Sequence, residues 1–237
     1  MLFFYPKSAK LYLSDVKHRY ILLLLLFGVQ AFAQHANDSL AYREDQFYLD
    51  VNLLLQGNDL DDFRQNGFSR SLHLGFLRDI SLNKKGNRAL ALGLGYGYQR
   101  LVNTLDIDQE EGDYIYSIPN NIRTLRNVFS YHQIQLPVEL RWRTSTATDY
   151  DFWRVYLSYR LSYQFAARYQ PFFGPDFRLV DQITPWQHSF GIAMGYGSWN
   201  LRFAYEIQPL LNQDIQLETG VTPRFYPIHL GLIFYFL

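Results

Sequence analysis

Apolar and polar side chains alternate along most of this chain. Phe47, Leu49, Val51, Leu53 and Leu55 fall on one face, and Tyr48, Asp50, Asn52 and Gln56 on the other. A period of two marks a β-strand with one apolar side. The same reading predicts strands over 68–78, 88–100, 131–143, 152–166, 186–196 and 201–208. The last strand sets Tyr226, Ile228, Leu230, Leu232, Phe234 and Phe236 against Pro227, His229, Gly231, Ile233 and Tyr235. That makes eight strands, each near the ~9–11 residues that cross a bilayer at a tilt. Connections after the second, fourth and sixth strands are short, and those after the third, fifth and seventh are long. The expectation is an all-β fold: an eight-stranded antiparallel transmembrane β-barrel, an up-and-down meander. Both chain ends then lie in the periplasm and the long loops outside the cell. An alternating strand at the end of the chain is common in such barrels, and the barrel-assembly machinery is expected to engage it.

Composition narrows this further. Aromatics make up 18% of the 237 residues, which suits girdles at two membrane interfaces. Mean hydropathy is −0.18, too polar for a helical membrane protein but compatible with alternation. The formal net charge is zero, which argues against nucleic acid as a partner. Cysteine is absent, so disulfides, thiolate chemistry and a lipoprotein anchor are excluded. Lys17, His18 and Arg19 precede the apolar run Ile21 to Phe27, and Ala31 and Ala33 form a small-x-small site. This predicts a signal peptide over 1–33, a periplasmic lead-in over 34–45 and the barrel over 46–237. A soluble lipocalin-like barrel or sandwich would need one core to bury all these apolar stripes, and would turn the charged faces outward.

Gly93, Gly95 and Gly97 lack the helix and the Lys-Ser/Thr of a phosphate-binding loop. On an alternating strand they serve instead as small inward residues facing large ones from the opposite wall. Inward positions also carry charge: Asp50, His73, Glu139, Arg141, Arg143, Arg154, Arg160, Arg202, Glu206 and His229. An eight-stranded barrel has room for side chains and no aqueous channel, so these residues are expected to pair as a structural polar network. Glu139 and Arg141 facing Arg154 and Arg160 on the next strand would make a cross-strand ladder. No cofactor or metal is expected. The acidic run Asp106, Asp108, Glu110, Glu111 and Asp113 fails the EF-hand pattern, with Glu111 where glycine is required. It reads as a solvated tip, with a bridging calcium as the sharper alternative. Ser71 and His73 share a face and His188 precedes Ser189, but neither pair shows a third member for nucleophilic catalysis, so no enzyme is expected.

Four segments together carry a resemblance: Ala31 to Gln34, Gly93 to Gly97, Tyr131 to Arg143, and Leu230 to Leu237. With these the chain resembles the outer-membrane barrels of Bacteroidetes labelled PorT-like. The resemblance implies an outer-membrane address and an eight-stranded barrel. Some members serve type IX secretion, although no motif here ties the chain to that branch. The expected partners are outer-membrane lipid and lipopolysaccharide, the assembly machinery, and a protein held by the loops. Candidate loop contacts are Asp106, Asp108, Glu110, Tyr114, Tyr116, Phe172 and Phe173, with Tyr169 and Phe177 beside them. The expected role is a non-enzymatic surface or envelope module. Accessory service to a secretion complex is the runner-up, and a lipid-modifying enzyme or narrow pore comes third.

Overall fold

The computed structural model describes residues 45–57, 60, 62–83, 85–110, 112–119, 126–144, 153–197 and 199–236. The expected signal peptide, and the lead-in apart from Asp45, lie outside the described residues.

Eight long strands close on themselves. They are β1 (Gln46–Gly57), β2 (Arg70–Ser81), β3 (Arg88–Asn103), β6 (Asn127–Arg143), β7 (Trp153–Gln170), β9 (Trp186–Tyr196), β10 (Trp199–Glu206) and β11 (Tyr226–Phe236). Each pairs antiparallel with its neighbour in the chain, and β11 pairs with β1 to close the ring. The remaining strands decorate the loops. The hairpin of β4 (Asp106–Glu110) and β5 (Asp113–Ser117) stands between β3 and β6, and β8 (Phe177–Arg178) extends β7. The expected meander is present, with differences at its ends. β2 runs on to Ser81, β6 starts at Asn127 and β7 reaches Gln170. The connection 104–126, unpatterned in the sequence, holds the β4–β5 hairpin, whose charged tip hides its short alternation.

Strand tilt follows from register. Crossing the ladders from Leu55 passes Ile228, Tyr205, Phe190, Tyr159, Val138, Leu92 and Arg78. The next rung meets β1 at Asp45, ten residues from the start. Eight strands with that stagger tilt at about 40° and leave an interior that side chains fill.

The outward face is apolar. Leu53, Leu74, Leu94, Leu136, Leu157, Phe190, Leu201 and Phe203 are all exposed. Aromatic contacts lie at both ends of this belt. Trp153–Tyr196 at 5.5 Å and Trp199–Phe234 at 5.4 Å sit at the short-turn end, and Tyr163–Trp186 at 4.9 Å toward the loop end. Such a surface is stable against hydrocarbon and not against water.

Inside, Gly95 and Gly97 make room as expected, but the groups that fill it come from nearby strands, not the opposite wall. A Cβ at Gly95 would collide with the Tyr48 phenol from β1. One at Gly97 would lie 2.7 Å from His73 Nδ1 and 2.8 Å from Gln135 Nε2.

Candidate functional site

The lumen is polar, closed and layered. Its lowest layer, near the short turns, centres on Asp79. Arg141 Nη1 lies 2.5 Å from Asp79 Oδ1, and Arg143 Nη1 lies 2.7 Å from Oδ2. Arg141 also reaches Glu139 at 2.9 Å. The Tyr235 hydroxyl donates to Glu139 at 3.2 Å, and the Arg141 guanidinium lies 4.9 Å from the Tyr156 ring centroid. In the middle layer Asp50 is held by Arg160 and Arg202, each at 3.1 Å. Higher up, Tyr131 donates to Gln99 at 2.5 Å and Gln99 donates to Glu206 at 3.0 Å. Glu206 also lies 3.1 Å from His229 Nε2.

Asp50, His73, Glu139, Arg141, Arg154, Arg160, Arg202 and Glu206 are thus all buried and inward. Their partnering differs from the ladder expected across β6 and β7. Arg141 stands opposite Tyr156, Glu139 opposite Ser158, and Arg143 opposite Arg154. The carboxylates that hold these arginines come instead from β1 and β2, across the lumen, and from the same strand. Asp79 is not among the sequence candidates, because the predicted second strand ends at Arg78. Extending the alternation by one rung, with Ile80 outward, would have found it.

A second arrangement was also not foreseen. Ser71 Oγ lies 3.0 Å from His229 Nδ1, and the other ring nitrogen faces Glu206. This is the order of a nucleophile, base and orienting acid. The histidine is not His73, which instead meets Gln135 Nε2 at 2.9 Å. Ser71, His229 and Glu206 are each no more than 4% exposed, and Asn52 also donates to Ser71 Oγ, at 3.2 Å. The hydroxyl is enclosed in the packed lumen, away from the lipid-facing surface. His188 and Ser189 point to opposite faces of β9.

The loop end is covered by a hydrophobic cap. Phe63, Leu105, Ile107, Tyr116, Leu179, Ile183, Leu210, Leu217 and Phe225, from the three long connections and the β1–β2 connection, form one buried cluster with Leu54, Leu101 and Phe129 of the barrel. Of the expected loop contacts, Tyr116 is turned into this cluster, where its hydroxyl donates to Gln182 Oε1 at 2.9 Å. Burial raises its pKa, with Tyr114 and Asp214 adding to the effect. Tyr169 is fully buried, and its hydroxyl donates to Asp106 Oδ1 at 2.9 Å. Asp106 is therefore a cap residue, while Asp108, Glu110 and Asp113 stay exposed at the hairpin tip. Among the described residues no cluster of three or more His, Cys, Asp or Glu could hold a metal ion. Tyr114 and Phe177 are partly buried against the cap. Phe172 and Phe173 point away from it, 51% and 77% exposed, with ring centroids 4.6 Å apart.

Known proteins bear on this geometry in three ways. A family model described as "Outer membrane protein beta-barrel domain" matches residues 32–222. No curated protein matches in sequence. Among solved structures, one of Ail, the attachment invasion locus protein of Yersinia pestis, in complex with the heparin analogue sucrose octasulfate, is 11% identical. The match covers 81% of this chain and 99% of that one with a TM-score of 0.27. The closed ring, its apolar belt and the family match over most of the chain agree: this protein belongs to the outer-membrane β-barrel domain family.

Proposed function

We propose that this outer-membrane barrel is a non-enzymatic interaction module whose capped extracellular end receives a protein partner. The observation that carries the reading is the shared core of the four connections at the loop end. Loops that pack on one another present a shaped surface, and a preformed surface loses little entropy on binding. Phe172 and Phe173 supply an exposed aromatic anchor of the kind that dominates interface energetics, and Asp108, Glu110 and Asp113 supply charge nearby in the fold's loop end. The lumen argues against transport, because its buried charges are cross-linked along its length.

The test is a mild-detergent pull-down of tagged protein from native outer membrane, wild type beside Phe172→Asp/Phe173→Asp. A protein co-eluting at near-equal amount with wild type and lost from the variant supports the reading. Recovery of both forms alone, as heat-modifiable monomers, overturns it. The PorT-like resemblance makes a component of a type IX-like secretion complex one identity for such a partner. Export through a signal peptide cut after Ala33 is part of the same proposal, and the mature protein should begin at Gln34.

The Ser71–His229–Glu206 relay favours a second reading, a lipid acyl hydrolase. Its enclosure weighs against it. Hydrolysis of lipid A or phospholipid by the folded barrel, abolished by Ser71→Ala, would establish it.

A further inference from the structure

The outer surface carries a charged feature that neither the cap nor the lumen explains. Arg70 on β2 and Arg100 on β3 stand directly opposite each other in the ladder. Both share the outward face of the barrel, in register parity with Leu72 and Leu74 on one strand and Tyr96 and Tyr98 on the other. Like charges placed directly opposite on a sheet repel. Among the described residues, no carboxylate comes within ion-pair distance of either one. Two other outward arginines do have such partners: Arg78 has Asp45 at 4.0 Å and Arg168 has Asp176 at 2.9 Å. Among the described residues, Phe68 attends the pair. The Arg70 guanidinium carbon lies 5.8 Å from its ring centroid, and Arg100 Nη1 reaches its carbonyl at 3.5 Å. The polar line continues sideways, with Ser130 opposite Arg100 and Arg168 opposite Ser130.

Below the arginines runs an apolar groove of about 840 Å³ on the outward faces of β10, β11, β1 and β2. Val51, Leu53, Leu72, Leu201, Leu230 and Phe234 line it, and Arg70 and Tyr98 stand at its edge. The groove accepts hydrocarbon, and its charged edge lies toward the loop end, where the outer leaflet meets water. Two guanidiniums side by side match a phosphate group through charge-assisted, fork-shaped hydrogen bonding. A phosphate there would also relieve the repulsion between them.

We propose that Arg70 and Arg100 hold the phosphate of an outer-leaflet lipid whose acyl chains lie in this groove. A phosphorylated lipid A headgroup has this chemistry. The proposal rests on the outer-membrane orientation given above, with the long loops on the cell surface.

The test uses the full-length mature protein in nanodiscs containing phosphatidylethanolamine and a small fraction of phosphorylated lipid A. Native mass spectrometry then reads the lipid retained after release. Wild type is expected to keep phosphorylated lipid A and to keep dephosphorylated lipid A far less. Arg70→Gln/Arg100→Gln should lower retention by about tenfold or more, the loss of two charge-assisted contacts. Arg88→Gln, outward at the opposite end of β3, should leave retention unchanged. Excess inorganic phosphate should displace lipid A only weakly, because the acyl chains are held separately. Equal retention by wild type and the double variant overturns the proposal, as does equal retention of the dephosphorylated lipid. Complete displacement by inorganic phosphate would also overturn it, leaving a simple anion site. Heat-modifiable migration of every variant monitors the barrel itself, so loss of that property would mark failure of the membrane reading and not of the lipid site.

Discussion

Replacing Asp79 by Asn should destabilise the barrel more than almost any other single change of charge. Asp79 sits at the bottom of the lumen with no exposed side-chain surface, and both of its oxygens are used. Arg141 and Arg143 are equally buried, and Glu139 is the other carboxylate that holds Arg141. Asn keeps the shape but removes the charge, so two guanidiniums are left in a low-dielectric interior with one fewer counter-charge. Breaking a buried pair in this way costs about 3–5 kcal/mol, because the stranded charge cannot recover its hydration. Asp176→Asn is the matched control. Its pair with Arg168 is 67% and 41% exposed, and loss of such a pair should cost about 1 kcal/mol or less. Removing one arginine as well should restore balance, so Asp79→Asn/Arg143→Gln should be less destabilised than Asp79→Asn alone. Urea unfolding from lipid vesicles, followed by tryptophan fluorescence and by the gel shift of the folded form, measures all three. If Asp79→Asn costs no more than Asp176→Asn, the lumen is hydrated and open, and its ionic packing is not what holds the barrel.

Three further outcomes follow from the same geometry. The wild-type protein in a planar bilayer should show no unitary conductance, since cap and lumen both obstruct the axis; stable steps would contradict this. Gly95→Val should lower folded yield or cost about 1–3 kcal/mol, because the new side chain meets the Tyr48 phenol and lies about 3.0 Å from the Leu74 carbonyl. Adding Tyr48→Ala should recover part of that loss, as read by the gel shift. Ser71→Ala should leave lipid composition unchanged in cells that overproduce the protein, because the Ser71–His229–Glu206 relay is enclosed; altered lipid A acylation in wild type alone would argue for chemistry.

The barrel was legible in the sequence because its surface must alternate. Each strand shows one face to lipid and one to a polar lumen, so the period of two survives on all eight. Strand ends were less legible. Asp79 follows Arg78 in what looks like a polar turn; the alternation carried on to Ile80 hints that β2 continues through it, and the pairing with β3 shows it. The polar network was legible as a set of residues but not as a set of pairs. Its partners meet across the lumen, and the meeting of Ser71, His229 and Glu206 depends on the β1–β11 seam that joins distant parts of the chain. The cap was not legible at all. Its apolar residues, such as Leu105, Leu179 and Leu211, are spaced without period in separate loops, and they become a core only when the ring brings those loops together. For the same reason Tyr116 and Tyr169 looked available for contact and instead point inward.

The most direct test of a sealed barrel with an outward cap is cysteine labelling in intact cells, for which the cysteine-free chain is a ready background. A membrane-impermeant maleimide would be applied to single variants Phe173→Cys on the cap, Ser162→Cys in the lumen and Asn87→Cys in a short turn. Phe173→Cys should label in intact cells, Asn87→Cys only after the outer membrane is permeabilised, and Ser162→Cys in neither condition. Labelling of Ser162→Cys in intact cells would show an open lumen, and labelling of Asn87→Cys there would show the opposite orientation; either result would contradict the account.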